Sequence, residues 1–311
     1  MSGSIFTTFD INRARVHWED SLLKLTPWEE HEGVWFKRED YFAPLGYGGP
    51  NGSKMRQLIH LFDRHRGNAT HVMTAASVLS PQHSMTAVLC RHYELPGLHI
   101  IGATTPEKAV RHVNIAIAAG FGAQFEAVPV AFNPALQRHL ANRRRPDTFP
   151  VPYGITTPED CSVDDLRAFH LVGAEQVKNM PEHLETLIVP AGSCNSLTSV
   201  LYGLHLYGHK NLKRLVSIGI GPNKVGWAHN RLKRMGVGDL KFEWNTRVSL
   251  HDSGFASYSD SMPETLDGIQ FHPTYEGKMI RWMRMNEALQ PGIGFWIVGG
   301  PVSEDIVKPF Y

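Results

Sequence analysis

One pattern repeats along most of this chain and limits its folding options more than any single residue does. A short apolar run is followed by about 10–15 residues with an apolar stripe at helical spacing, and then by another short apolar run. Val34-Trp35-Phe36-Lys37 reads as the first strand, and residues 54–66 place Met55, Leu58, Ile59 and Phe62 on one helical face. His71-Val72-Met73-Thr74 is the next strand, followed by a helix over 82–93 with Met85, Val88 and Leu89 on one side. After the strand Leu98-His99-Ile100-Ile101, a helix starts at Thr105-Pro106 and runs through Ala119, with proline at its first position. Gly120-Phe121-Gly122-Ala123 ends it, and 124–128 returns to strand. Beyond residue 160 the spacing predicts a helix over 164–178, strands at 186–190 and 215–220 with a helix over 197–207 between them, and a last strand at 294–298. Parallel strands need long crossovers, and helices of this length supply them, so the pattern predicts an α/β protein built on open parallel sheets.

With 311 residues the chain has room for one large α/β domain or two modest ones, at about 100–200 residues each. No stretch of about 18 apolar residues marks a membrane span. The first ten residues lack the basic and apolar regions of a secretory signal, so a cytoplasmic location is expected. Cys90, Cys161 and Cys194 are odd in number and scattered, which suits a reducing compartment rather than a disulfide framework. The 17 histidines show no ligand spacing joined to a carboxylate, and no metal site is proposed. A net charge of +1 gives no overall pull towards nucleic acid, without excluding it. The basic clusters Arg143-Arg144-Arg145 and Lys278 with Arg281 and Arg284 read first as solvated faces.

Four segments carry chemistry. In Gly48-Gly49-Pro50-Asn51-Gly52-Ser53-Lys54-Met55-Arg56, a glycine-rich turn runs into a helix with a lysine in its first turn. A helix N-terminus and partial burial both disfavour the charged amine, which makes Lys54 a candidate nucleophile towards a carbonyl. The spacing is not that of a phosphate-binding P-loop, since Ser53 separates Gly52 from the lysine. On these residues alone, a surface lysine after a turn is the commoner outcome. Pro190-Ala191-Gly192-Ser193-Cys194-Asn195-Ser196 lies between a strand and a helix and suits an anion, or a simple N-cap. Pro273-Thr274-Tyr275-Glu276-Gly277-Lys278 offers a phenol and a carboxylate, or is surface decoration. Ser77-Val78-Leu79-Ser80-Pro81-Gln82-His83 could recognise a carboxylate, or serve as a helix cap.

Taken in order, these segments resemble the pyridoxal-phosphate enzymes of the tryptophan-synthase-β superfamily (fold type II), nearest to the branch of 1-aminocyclopropane-1-carboxylate deaminase and D-cysteine desulfhydrase. Trp35-Phe36-Lys37-Arg38-Glu39-Asp40, with Gly52-Ser53-Lys54-Met55-Arg56-Gln57-Leu58, is similar to that branch's hydrophobic-K-R-E-D and G-N-K-x-R-K-L stretch. Residues 74–83 align with its T-x-G-x-x-Q-S-N-H/Q turn, 191–196 with its phosphate loop, 273–278 with D-P-V-Y-E/T-G-K, and 295–300 with a closing hydrophobic-H-T-G-G. The likeness spans residues 34–301 or so. It implies two unequal domains, each an open, mostly parallel sheet flanked by helices. Residues 1–54 with 161–311 would form the larger domain and 55–160 the smaller, with the active site in the cleft between them and a homodimer as the assembly.

The resemblance also implies roles. Lys54 would hold pyridoxal 5′-phosphate as a Schiff base and then move protons. Gly192, Ser193, Cys194, Asn195 and Ser196 would bind its phosphate, and Glu276 would face its ring nitrogen. Tyr275 would act above the substrate with Tyr258 as a second phenol. Ser80, Gln82 and His83 would meet the substrate carboxylate, with Ser80 able to relay a proton. Pro81 stands where the family has asparagine, Leu79 where it has glutamine, Ser53 where it has asparagine before the lysine, and Val298 where it has threonine. The leading reading is a lyase or deaminase acting at Cα or Cβ of an amino acid. A second is decarboxylation or replacement on a bulkier amino-acid adduct, one carried on a nucleotide included. A third is a binding protein that has kept the fold and lost the chemistry.

Overall fold

The computed structural model describes residues 21–103, 105–130 and 132–310. In chain order its elements are β1 (Trp28–His31), β2 (Val34–Arg38), α1 (Ser53–His65), β3 (His71–Ala76), α2 (Gln82–His92), β4 (Gly97–Gly102), α3 (Val113–Gly120), β5 (Gln124–Val128), α4 (Asn133–Arg143) and β6 (Thr148–Pro150). Then come α5 (Val163–Ala174), β7 (Thr186–Pro190), α6 (Asn195–Tyr207), β8 (Arg214–Gly219), α7 (Val225–Met235), β9 (Glu243–Ser249), the pair β10 (Glu264–Leu266) and β11 (Ile269–Phe271), α8 (Glu276–Met285) and β12 (Ile293–Ile297).

The strands form two main sheets. One has four parallel strands in the order β5-β4-β3-β6; the other has six, in the order β1-β2-β12-β7-β8-β9. Within the six, only the β1–β2 pairing is antiparallel. A parallel strand covered by helices on both faces must be apolar throughout, and Leu187, Ile188 and Val189 of β7 and Ala75 and Ala76 of β3 are all buried. Two caps mark helix starts that the sequence signalled. The Ser162 hydroxyl accepts from the Asp165 amide at 3.0 Å, and the Thr105 hydroxyl accepts from the Lys108 amide at 3.3 Å.

The single helix expected from Thr105 through Ala119 is instead two pieces, Pro106–Ala109 and α3, because His112 adopts an extended backbone. The break lets Ala109 and Ile115 enter one core cluster with Ile101, so tertiary burial overrides local propensity. The helix expected over 164–178 ends at Ala174 and tightens into a 3-10 turn over Glu175–Val177. A last 3-10 segment, Glu304–Phe310, returns to the four-stranded side, and the Ser303 amide donates to Gly48 O at 2.7 Å. No helix among the described residues is long and apolar enough to cross a membrane.

Candidate active site

The loops at the carboxyl ends of the parallel strands build the site, where ligands of open α/β sheets lodge. The lysine turn follows β2, and the Val298–Gly300 segment follows β12. Gly52 has φ +84°, and a Cβ there would lie 2.2 Å from Val298 O, so only glycine brings the two chains this close. The Ser53 amide donates to Val298 O at 2.9 Å, and the Asn51 side-chain oxygen accepts from the Gly300 amide at 2.8 Å. The Lys-Arg-Glu-Asp stretch explains itself here. Glu39, fully buried, accepts from the Thr26 hydroxyl (2.6 Å), the Ser53 hydroxyl (3.2 Å) and Arg56 Nε (3.3 Å). Glu39 therefore grips the residues on either side of the lysine. Arg38 pairs with Asp40 through two hydrogen bonds, and Lys37 caps Thr26 O and the Asn179 amide oxygen.

Lys54 emerges half-buried in the first turn of α1. Burial lowers its pKa; the nearby Glu276 carboxylate opposes that shift and the Lys224 ammonium adds to it. Glu276 starts α8 and is 1% exposed. Its Oε1 accepts from the Val298 amide at 3.2 Å, whereas Oε2 is buried with no partner. Burial drives its pKa up to about 8, against backbone hydrogen bonds that lower it. Gly277 is fixed by packing, since a Cβ would meet Met262 O at 2.2 Å. Lys278 donates to Ser257 O (2.7 Å) and Tyr258 O (3.2 Å), and so holds the Tyr258 loop over the helix start. The phenols of Tyr258 and Tyr275 meet at 2.8 Å. Burial keeps Tyr275 well above its ordinary pKa, reinforced by the Tyr258 phenol and Glu276, so its proton stays on at neutral pH.

The loop between β7 and α6 is the second wall. Cys194 has φ +64°, which turns the chain into the first, unpartnered amides of α6, and nothing lies within 4 Å of where a Gly192 Cβ would stand. Burial raises the Cys194 pKa, and Arg247 and Lys224 oppose it, so two cations border this loop. Asn195 turns its amide to Gly154 O (3.1 Å) and Ile155 O (2.9 Å), which ties the loop to the chain leaving β6.

The third wall is the β3–α2 turn. Ser80 is partly exposed, and its hydroxyl accepts from the Gln82 amide at 3.3 Å, so it caps α2. Gln82 is buried, donating to the Thr74 hydroxyl (2.8 Å) and accepting from the Gly154 amide (3.0 Å). His83 is fully buried behind the turn, with one ring nitrogen 3.2 Å from Ala76 O and the other 3.3 Å from His99. Gln82 and His83 thus brace the turn from behind, where the sequence expectation had them meeting substrate. Two groups escaped the sequence reading. His272 accepts from the Thr274 amide at 3.2 Å, and burial beside Lys54 and Lys278 drives its pKa down to about 4. It occupies the aspartate position of the D-P-V-Y pattern, which was the available signal. Lys224 follows the Gly221-Pro222 turn after β8, and only proximity in the fold reveals it.

The donor set fits pyridoxal phosphate. It offers an amine with depressed basicity, an anion loop at a helix start, and a buried carboxylate oxygen without a partner. No protein-family model matches the chain. The chain is 32% identical over 375 residues to an O-seryl-dTMP PLP-dependent decarboxylase of Salmonella phage ViI, an alignment covering 98% of this chain and 88% of that protein. This chain belongs to the fold type II pyridoxal-phosphate enzymes. Solved structures share the fold. A homologue of ACC deaminase gives a TM-score of 0.64 at 20% identity, covering 89% of this chain and 90% of that one. Processed threonine deaminase isoform 2 from Solanum lycopersicum gives 0.54 at 11%, covering 94% and 92%. As a fold type II enzyme the chain uses pyridoxal phosphate as its cofactor.

Proposed function

We propose that this enzyme decarboxylates an amino acid carried on a pyrimidine nucleotide, of the O-seryl-dTMP type. The observation that carries the reading is the 32% identity, across 98% of the chain, to a protein with that activity. The substrate-facing turn is consistent with it. Leu79 and Pro81 replace amide side chains with apolar groups, so the turn offers a substrate carboxylate few donors. A poorly solvated carboxylate is destabilised relative to neutral carbon dioxide, which favours loss of that group.

When bound, the cofactor supplies an electron sink for the pair left on Cα as the bond to the carboxylate breaks. Lys54 would anchor it, the amides of residues 192–195 and the Ser193 and Ser196 hydroxyls would hold its phosphate, and Glu276 Oε2 would face its ring nitrogen. Lys54, its basicity lowered by burial, would return a proton to Cα. Tyr275, its proton held by burial and by the Tyr258 phenol, would donate a hydrogen bond over the substrate. The described parts of 1–54 and 161–311 would form the larger domain and 55–160 the smaller, with the three walls meeting in the cleft between them.

The test is to incubate the cofactor-loaded enzyme with O-seryl-dTMP and, separately, with free serine, and to follow the products by mass spectrometry. The expected result is an aminoethyl nucleotide and carbon dioxide from the adduct, with little turnover of serine. Ammonia and a keto acid from free amino acids would overturn the reading in favour of deamination or elimination.

A further inference from the structure

The catalytic groups account for the lysine, the carboxylate and two phenols, but a third tyrosine at the same mouth has no part in them. Tyr153 follows β6 and is 42% exposed. Its backbone neighbour Gly154 is held on both sides, by the Gln82 side chain and by Asn195 of the phosphate loop. Its ring therefore stands where the β3–α2 turn and the phosphate loop meet. Tyr258 and Tyr275 are close by: the Tyr258 phenol disfavours ionisation of Tyr153, and Tyr153 in turn disfavours that of Tyr275. The Asn133 amide nitrogen donates to the Tyr153 phenol oxygen at 2.7 Å. That leaves the phenol hydrogen free to donate outward, while Asn133 Oδ1, enclosed beside it, has no partner. Phe132, next in the chain, is 71% exposed.

We propose that Tyr153 and Asn133 form the subsite for the pyrimidine base of the substrate, a proposal that rests on the nucleotide-linked reading above. The face of the half-exposed Tyr153 ring offers a stacking surface. Its hydroxyl donates to a ring carbonyl of the base, and a tilt of that ring opens Asn133 Oδ1 to the adjacent ring N–H. A donor beside an acceptor complements the carbonyl and N–H edge of thymine or uracil, whereas cytosine in the same pose sets an accepting ring nitrogen against Asn133 Oδ1. A site built to pair with a polar edge rejects the mismatched one because buried groups are then left unpaired.

The experiment is calorimetric titration of the cofactor-loaded protein with dTMP and with dCMP, in wild type, Tyr153→Phe, Tyr153→Ala and Asn133→Ala. Wild type is expected to bind dTMP about tenfold tighter than dCMP or better. Tyr153→Ala should weaken dTMP binding by about tenfold or more, the size of one stacked base. Tyr153→Phe should keep the stack and lose most of the discrimination, and Asn133→Ala should abolish the preference for dTMP. The cofactor absorbance band should be the same in all four proteins. Equal dTMP binding throughout would overturn the subsite while leaving the nucleotide reading intact. No dTMP binding by wild type would overturn both. Loss of the cofactor band in Tyr153→Phe would assign Tyr153 to the cofactor and overturn the proposal.

Discussion

The two sides of this site are built by different means. On the lysine side, short contiguous motifs lock directly onto one another: Glu39 grips Ser53 and Arg56, Asn51 reaches across the chain to Gly300, and Glu276 begins the helix whose second residue must be glycine. On the proposed substrate side, Ser80, Tyr153 and Tyr258 come from separate loops and Asn133 from the start of α4, and only the fold brings them together. A cofactor presents the same atoms in every relative, so its grip is set by short, rigid motifs. A substrate differs between relatives, so its contacts lie on loops, where change is cheapest.

That contrast breaks most sharply at the lysine. Under the proposed function, Lys54→Ala should cost at least about 10⁴-fold in turnover, measured as carbon dioxide release, because it would remove both anchor and proton carrier. An effect under tenfold would place the chemistry elsewhere. Next comes the buried carboxylate. The Glu276 pKa is raised from 4.5 to about 8, so the cofactor-free fold holds a proton there that the unfolded chain has released. Stability from this group is complete below pH 4.5 and is lost as pH rises towards 8. Glu276→Gln should therefore match wild type near pH 5 and exceed it by about 3–5 kcal/mol above pH 8 in urea denaturation of the cofactor-free protein. A pH-independent difference would mean the carboxylate is not desolvated. Gly52→Ala should destabilise by about 3 kcal/mol, since φ +84° and the Val298 carbonyl both oppose a side chain; urea midpoints would show it. On the substrate side the effects are smaller. Tyr258→Phe should lower turnover about tenfold with the cofactor band unchanged, the loss of one hydrogen bond to Tyr275.

The same division explains what could be read in the sequence. Strand and helix alternation located the parallel sheets, because buried parallel strands are apolar throughout and their crossovers are helices of regular length. Most of the strands it missed lack that signature. β1, β10 and β11 are at most four residues long, and β9 is an edge strand with no fully buried residue. α7 and α8 carry strong helical patterning, but α7 leads only to the edge strand β9, and the catalytic-type motif at the start of α8 masks the helix that follows it. In the site, Lys54, Tyr275 and Glu276 were legible as contiguous motifs. Gln82 and His83 were legible as residues but not as orientations, because helical phase turned them inward to Thr74 and His99. Tyr153, Asn133 and Lys224 had no local signal at all, since what places each of them at the site is a partner elsewhere in the chain.

Under the proposed function one lysine of the described chain, Lys54, would carry the cofactor, while Lys224 and Lys278 would only shape the field and the loop around it. Borohydride reduction of the cofactor-loaded protein, followed by proteolysis and mass spectrometry of the labelled peptide, reads this directly. Pyridoxyl label is expected on Lys54 alone, and none in Lys54→Ala. Label on Lys224 or Lys278, or undiminished label in the Lys54→Ala protein, would contradict it.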